Sequence, residues 1–124
     1  MGVVTIGKEF HFDAAHRLPD HKGKCQFLHG HTYRLLVELT GEPDVVTHLL
    51  VDFYDLKEVV DVILENSDHD LLNNKYPVTT VEFLCQDFAA VMSRAFPHLG
   101  VTIQLQEGMG GYARCSLPPK EVKE

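Results

Sequence analysis

The 124-residue chain has no tryptophan, only three cysteines and no excess of positive charge. Cys25, Cys85 and Cys115 form no C-x-x-C pair and leave an odd count, which argues against a disulfide framework. A net charge of -7 argues against sequence-independent binding to nucleic acid or to an anionic membrane. An apolar content of 44% and a charged content of 23% are ordinary for a globular protein.

Long apolar runs are also absent, since none approaches the roughly 20 residues needed to cross a bilayer. Charges interrupt the first 16 residues, where a signal peptide would be apolar. We therefore expect a cytoplasmic protein. Its length and 44% hydrophobic content predict a single domain over residues 1–124 with one core, and residues 118–124 are expected to form a frayed tail.

Positive charge is concentrated near the amino terminus. The first 34 residues contain five basic and three acidic side chains, whereas the remainder contains six basic and fifteen acidic ones. The basic part includes the segment 25–31, which reads Cys-Gln-Phe-Leu-His-Gly-His. A small anionic substrate such as a phosphate ester would suit this neighbourhood, although chance clustering explains the charges equally well.

Hydrophobic periodicity predicts strands and helices in the order ββααββ. Alternating apolar and polar residues predict four strands, over residues 3–17, 29–40, 101–107 and 112–117. Asp52 as N-cap predicts a helix that ends near Asn66, and a capping box Thr79-x-x-Glu82 predicts a second helix that ends before Pro97. This order indicates an α+β protein with a four-stranded antiparallel sheet and two helices on one face.

Three histidines are candidate metal ligands. In a strand, His29 and His31 project to the same side, because successive side chains alternate between the two faces. His16 ends the apolar face of the preceding strand, so antiparallel pairing would bring all three imidazoles to one end of the hairpin. Three imidazoles without a fourth protein ligand are typical of a catalytic zinc centre. The alternative is three unrelated residues in a chain with eight histidines.

Cys25 is the candidate nucleophile or general base. It lies four residues before His29, and Lys22 and Lys24 flank it. These lysines and a nearby metal cation would favour the thiolate form, which is the reactive one. Cys85 lies on the apolar stripe of the second predicted helix and Cys115 lies in the last predicted strand, so both are predicted to be inert packing residues.

Two carboxylates, Asp68 and Glu107, are further candidate site residues. Asp68 precedes His69 in the loop between the helices, where a carboxylate can orient an imidazole for proton transfer, or where both are ordinary loop residues. Glu107 ends a strand face that is otherwise apolar, so it needs a partner. That partner is either a ligand with paired N–H donors or an arginine such as Arg114.

Together these motifs resemble the 6-pyruvoyl-tetrahydropterin synthase family. The resemblance covers nearly the whole chain in order, and its motifs lie in residues 12–18, 25–31, 51–57 and 68–73 and at Glu107. The four-residue spacing from Cys25 to His29 is similar to that of the bacterial 6-carboxy-tetrahydropterin synthases of queuosine precursor synthesis. The resemblance implies the tunnelling fold and a homo-oligomer, either a trimer or a hexamer.

The resemblance also implies a reaction and roles for residues. The enzyme would be a zinc-dependent lyase that converts 7,8-dihydroneopterin triphosphate to 6-carboxy-5,6,7,8-tetrahydropterin with loss of triphosphate and acetaldehyde. One alternative is the 6-pyruvoyl-tetrahydropterin synthase reaction, and another is a non-catalytic pterin- or zinc-binding relative. The implied zinc ligands are His16, His29 and His31, the implied proton-transfer residues are Cys25, Asp68 and His69, and the implied substrate-binding residues are Glu107 and Thr80.

The sequence departs from the family pattern near the substrate groups. Relatives commonly have threonine at the position of Gly108, which here lies in the run Gly-Met-Gly-Gly. Val81 stands where relatives often have serine, although Thr80 and Glu82 fit. These departures leave the implied metal and proton-transfer residues intact and bear on substrate preference.

Overall fold

The computed structural model describes residues 2–121. Its elements follow the order ββαβαββ, with one strand more than the sequence predicts. Their bounds are β1 Val4–His16, β2 His29–Gly41, α1 Phe53–Ser67, β3 Asp70–Leu71, α2 Val81–Ala95, β4 Gly100–Glu107 and β5 Gly111–Leu117. Single 3-10 turns cover Lys24–Gln26 and Leu72–Asn74.

The five strands form one mixed sheet in the order β3-β1-β2-β4-β5. The β1–β2, β2–β4 and β4–β5 pairs are antiparallel, as predicted. The prediction of a strictly four-stranded antiparallel sheet is wrong, because the two-residue β3 pairs in parallel with Ala14 and Ala15 of β1. A two-residue strand has no periodicity of its own, so only the tertiary pairing defines it.

The core lies between one face of the sheet and the two helices. In β1 the buried residues are Phe10, Phe12, Ala14 and His16, and the residues between them are mostly exposed. Leu56, Val60 and Ile63 form the buried stripe of α1, at the spacing of an amphipathic helix. The other face of the sheet is polar, with cross-strand bonds such as Thr102 to Ser116.

Both helices begin at capping residues. The Asp52 carboxylate accepts a hydrogen bond from the Tyr54 amide at 2.8 Å, as its predicted N-cap role requires. For α2 the prediction is wrong by one residue, because Thr80 and not Thr79 is the N-cap and accepts from the Phe83 amide at 3.2 Å. The Thr79 hydroxyl instead donates to the Arg17 carbonyl.

Part of the predicted tail lies against the end of α2. The backbone amides of Lys120 and Glu121 donate to the Pro97 carbonyl at 2.8 and 3.0 Å. Residues 122–124 of that segment lie outside the described residues.

Neither of the two α-helices, each of 15 residues, is long and apolar enough to cross a membrane within the described chain.

Candidate metal centre and active site

The β1–β2 register brings together the three histidines that the sequence predicts to be metal ligands. His16 is paired directly with His29, and His31 follows two residues later on the same face of β2. The ring centroids of His16 lie 4.5 Å from His29 and 5.2 Å from His31. One nitrogen from each ring lies within 4.8 Å of the other two, so the three side chains could hold a metal ion.

Backbone carbonyls orient two of these imidazoles. Nδ1 of His16 bonds the Thr79 carbonyl at 2.9 Å, and Nδ1 of His29 bonds the Phe27 carbonyl at 2.8 Å. Because a carbonyl only accepts, each Nδ1 carries the proton and each Nε2 keeps a free lone pair. The Nε2 atoms of His16, His29 and His31 are all buried without a hydrogen-bond partner among the described residues. This is the arrangement that a metal ion would satisfy.

Burial keeps the deepest histidine neutral. His16 is fully buried, and desolvation lowers the pKa of its imidazole below the ordinary value, against the opposing effects of the Thr79 carbonyl and Glu107. A neutral imidazole is the form that binds a metal.

Glu107 borders the three imidazoles. Its carboxylate oxygens lie 3.4 Å from Nε2 of His31 and 4.0 Å from Nε2 of His16, and the side chain is 24% exposed. The alternative of an ion pair with Arg114 is wrong, since the Arg114 guanidinium bonds the Gln104 side chain on β4. Glu107 is therefore positioned to face whatever occupies the space beside the histidines.

The ring of Tyr33 packs against two of the histidines, a contact that the sequence did not predict. Its ring stacks on Phe12 at 4.8 Å between centroids and lies edge-on to His31 at 5.7 Å and to His16 at 6.3 Å. Burial raises the pKa of its phenol, and the Glu107 carboxylate adds to this effect. The periodicity of β2 shows that Tyr33 faces the core, but not which rings it contacts.

Asp68 and His69 form a second, separate cluster. Oδ1 of Asp68 lies 3.0 Å from Nδ1 of His69 and accepts a hydrogen bond from the Asp13 amide at 3.0 Å. That amide bond is the main cause that lowers the pKa of the Asp68 carboxyl, and His69 acts in the same direction. The His69 amide also donates to the Asp13 carbonyl. The dyad is thus fixed to the edge of β1, with the His69 side chain 79% exposed.

The structure does not bring Cys25 into either cluster of the described chain. Cys25 lies in the 3-10 turn Lys24–Gln26, half-buried, with its carbonyl accepting a bond from the Leu18 amide at 2.7 Å. The three residues predicted to transfer protons therefore occupy two places within one chain. Thr80 lies at a third place, next to the Thr79 carbonyl that orients His16.

Two surface cavities lie at opposite ends of the sheet. An open cavity of about 650 Å³ is lined by residues of both clusters, among them Asp13, His31 and His69. A cavity of about 790 Å³ at the other end is lined by residues from 42–51 and 95–99, and none of the predicted site residues lines it.

The turn after Glu107 lies close to His31, one of the predicted metal ligands. Gly108 has φ +63°, and a Cβ placed there would lie 3.4 Å from Nδ1 of His31. A side chain at this position would therefore meet both backbone strain and a ligand ring. The Gly108 amide donates to the Thr32 carbonyl at 3.0 Å, which holds the turn against β2.

Comparison with known proteins places these features in a family. The sequence profile described as 6-pyruvoyl tetrahydropterin synthase matches residues 5–116. The 6-carboxy-5,6,7,8-tetrahydropterin synthase of Haemophilus influenzae is 52% identical over 71 residues, which cover 54% of this chain and 50% of that protein. The chain thus spans about half the length of that relative. A putative 6-carboxy-5,6,7,8-tetrahydropterin synthase of Archaeoglobus fulgidus is 39% identical over 82 residues, covering 66% of this chain and 70% of that protein.

Three further matches cover most of this chain. A putative 6-pyruvoyl tetrahydrobiopterin synthase of Caenorhabditis elegans is 31% identical over 125 residues, covering 84% of this chain and 89% of that protein. The solved 6-pyruvoyl tetrahydropterin synthase of Caenorhabditis elegans has a TM-score of 0.80 at 26% identity, over 93% of this chain and 96% of that chain. The Plasmodium vivax enzyme, at 16% identity, has the same fold with a TM-score of 0.80, over 95% of this chain and 99% of that chain. The chain therefore belongs to the 6-pyruvoyl tetrahydropterin synthase family.

Proposed function

We propose that the protein is a zinc-dependent lyase that converts 7,8-dihydroneopterin triphosphate to 6-carboxy-5,6,7,8-tetrahydropterin, with release of triphosphate and acetaldehyde. The observation that carries this proposal is the group of three buried Nε2 atoms that have no hydrogen-bond partner among the described residues and lie within 4.8 Å of one another, beside Glu107. The names of the Haemophilus and Archaeoglobus relatives support the 6-carboxy product.

The donor set fits zinc. Catalytic zinc centres use three protein ligands and leave one position open for water or substrate. His16, His29 and His31 supply three imidazole acceptors, and the carbonyls of Thr79 and Phe27 hold two of them in the required tautomer. When bound, zinc supplies a Lewis acid for the side-chain hydroxyls of the substrate and increases the acidity of the adjacent carbon.

Glu107 anchors the pterin ring in this proposal. A carboxylate accepts two parallel N–H bonds, and the pterin ring offers such a pair of donors. Glu107 is held at the end of β4, opposite Tyr33 of β2, with its carboxylate oxygens beside His16 and His31. A ring bound there would present its side chain to the three histidines.

Cys25, Asp68 and His69 carry out the proton transfers of the proposed reaction. Cys25 as thiolate removes a proton from the substrate side chain, and His69 relays protons during elimination of triphosphate. The 3.0 Å contact between Asp68 and Nδ1 of His69 fixes the ring and leaves its other nitrogen available for transfer. Arg17, Lys22 and Lys24 lie near Cys25 in sequence and provide positive charge for the phosphates.

The protein would act as a homo-oligomer, a trimer or a hexamer. Asp68 and His69 lie at the edge of β1 beside the exposed Asp13, whereas His16 lies on the core-facing side of the same strand. An exposed dyad at a sheet edge is suitably placed to reach the Cys25 of a neighbouring copy. If each active site is completed by a neighbouring subunit, residues from the two separate clusters can take part in the same reaction.

The test is incubation of the purified protein with 7,8-dihydroneopterin triphosphate, with and without a chelator, followed by mass analysis of the products. The proposal expects equal amounts of 6-carboxy-5,6,7,8-tetrahydropterin and acetaldehyde, and loss of both on chelation. Turnover that is unchanged after complete removal of metal would contradict zinc dependence.

A second candidate is the 6-pyruvoyl-tetrahydropterin synthase reaction, which eliminates triphosphate without cleaving the side chain. The name of the Caenorhabditis elegans relative, which matches 84% of this chain, favours it. Absence of acetaldehyde with continued release of triphosphate would select this reaction.

The departures at Gly108 and its neighbours motivate a third candidate, a non-catalytic pterin- or zinc-binding protein. Its signature would be stoichiometric binding of pterin without any product. For this candidate, Cys25→Ala would change nothing measurable, whereas for a lyase it would abolish turnover.

A further inference from the structure

Cys85 and Cys115 form a pair of thiols outside the proposed active site. Their Sγ atoms lie 3.7 Å apart, in a contact between α2 and β5. Sγ of Cys85 also lies 3.4 Å from the Ile103 carbonyl, and Sγ of Cys115 lies 3.4 Å from the Cys85 carbonyl. The sequence predicts inert packing for both, but the structure places each sulfur against the other.

The backbone register explains this contact. Cys115 is paired with Ile103 across β4 and β5, and Ile103 is fully buried under the helices. Residues paired across adjacent strands face the same side, so Cys115 points towards α2. Cys85 lies on the buried stripe of α2 and meets it there. A disulfide requires the sulfurs at about 2.05 Å, so the pair needs an approach of somewhat less than 2 Å.

We propose that Cys85 and Cys115 are a site of oxidative modification, where a hydroperoxide converts the two thiols to a disulfide that links α2 to β5. First, the Cys115 sulfur attacks the peroxide, which yields a sulfenic acid and one molecule of water or alcohol. The Cys85 sulfur then displaces the hydroxyl from the sulfenic sulfur. That hydroxyl leaves as water with the Cys85 proton, so two thiols and one peroxide are consumed.

Exposure sets the order of these steps. Cys115 is half-buried on an edge strand of the sheet, whereas Cys85 is 1% exposed. Burial also raises the pKa of the Cys85 thiol, which keeps it in the protonated form that reacts poorly with peroxide. An oxidant therefore reaches Cys115 first, and Cys85 resolves the intermediate.

The linkage would connect two elements that flank the histidines. The residue that precedes the α2 cap, Thr79, orients His16, and β5 follows the turn after Glu107. A disulfide closing the loop from Cys85 to Cys115 would also restrict the unfolded chain, which raises the midpoint of thermal unfolding by roughly 5–10 °C.

The test uses the full chain with Cys25→Ser, which removes the third thiol, titrated with hydrogen peroxide. We expect an intact mass lower by two hydrogen atoms, loss of both titratable thiols, and a peptide that joins Cys85 to Cys115 within one chain. The midpoint of unfolding should rise and return to its starting value after dithiothreitol.

The matched controls are Cys115→Ala and Cys85→Ala in the same background, each confirmed as folded by its circular dichroism before oxidation. Each should retain its single thiol or stop at the sulfenic acid, without the gain in unfolding temperature. Three results would overturn the proposal: both thiols remaining free at a peroxide concentration that oxidises glutathione, a disulfide between two chains, or a disulfide that lowers the unfolding temperature. None of these readouts depends on pterin turnover, so they are independent of the proposed lyase activity.

Discussion

At the scale of single residues, the metal centre depends on backbone groups as much as on imidazoles. The carbonyls of Thr79 and Phe27 hold the Nδ1 protons of His16 and His29 and turn the opposite nitrogens inward. Three buried acceptors without partners would cost folding free energy unless a ligand satisfies them. A metal ion would relieve this cost, so the proposed zinc binding should stabilise the fold.

The role of Glu107 can be separated from metal binding. With Glu107→Gln we expect a KM for 7,8-dihydroneopterin triphosphate that is about 10- to 100-fold higher, because a charged acceptor is replaced by a neutral one. Steady-state kinetics with zinc analysis would check this, with the exposed Glu65→Gln on α1 as control. If the zinc content of Glu107→Gln falls instead, Glu107 is a metal ligand and not a pterin anchor.

The sequence could predict that the three histidines cluster, but not the contacts that support them. Alternation along two strands is enough to put His16, His29 and His31 on one face, and the structure brings them together. The supporting carbonyls of Thr79 and Phe27 leave no signature in the sequence, because every residue has a carbonyl. Likewise, nothing in the sequence indicates that Asp13 fixes Asp68, which lies 55 residues away.

At the scale of elements, the long β1–β2 hairpin determines the site. Its register pairs His16 with His29. If β2 were shifted by one residue, His29 and His31 would lie on the face of the sheet opposite to His16. The strand patterns were long enough to predict this pairing. The two-residue β3 was not predictable, because it is too short to have a sequence pattern and is defined only by its pairing with Ala14 and Ala15.

The α2 cap offers a test at this scale. Thr80→Ala should lower the free energy of unfolding by about 1 kcal/mol, because the Phe83 amide loses its side-chain acceptor. Urea denaturation would measure this loss. Thr80→Ser keeps the hydroxyl and should restore the stability, whereas equal losses in the serine and alanine variants would argue against a capping hydroxyl.

The stability of the protein should depend on pH through the Asp68 carboxylate, which joins the end of α1 to the Asp13 amide of β1. The pKa of Asp68 in the folded chain is below its ordinary value of 3.8, so its contribution to stability is present above that pH and is lost as the pH falls through the lower, folded-state pKa. Asp68→Asn should therefore unfold at a lower temperature than wild type at pH 7, and the difference should vanish once the pH is below the folded-state pKa of Asp68. Calorimetry across this range would check it.

The exposed loop variant Asp20→Asn serves as the control for that series. Its unfolding temperature should follow wild type at every pH. A difference for Asp68→Asn that grows with acidification would contradict the assigned role of the Asp13 amide.

At the scale of the whole molecule, one chain holds its predicted metal ligands and its Asp68–His69 dyad in separate clusters. If neighbouring copies complete each other's sites, two inactive variants should rescue one another. We expect that Cys25→Ala and His69→Ala, each inactive alone, regain up to about a quarter of wild-type activity after their subunits are mixed, because random assortment rebuilds some intact sites.

Native mass spectrometry of the same mixture provides the control, since it shows whether mixed oligomers have formed. Mixed oligomers without any turnover would show that Cys25 and His69 act within one subunit.

The most direct test of the central claim is X-ray absorption at the zinc edge of the zinc-loaded protein, with the zinc content measured per chain. Coordination by His16, His29 and His31 predicts one zinc per chain with three nitrogen neighbours at about 2.0–2.1 Å, one further light atom and no sulfur. A sulfur neighbour at about 2.3 Å would make Cys25 a ligand instead of a base. A zinc content unchanged in His29→Ala would contradict the three-histidine centre itself.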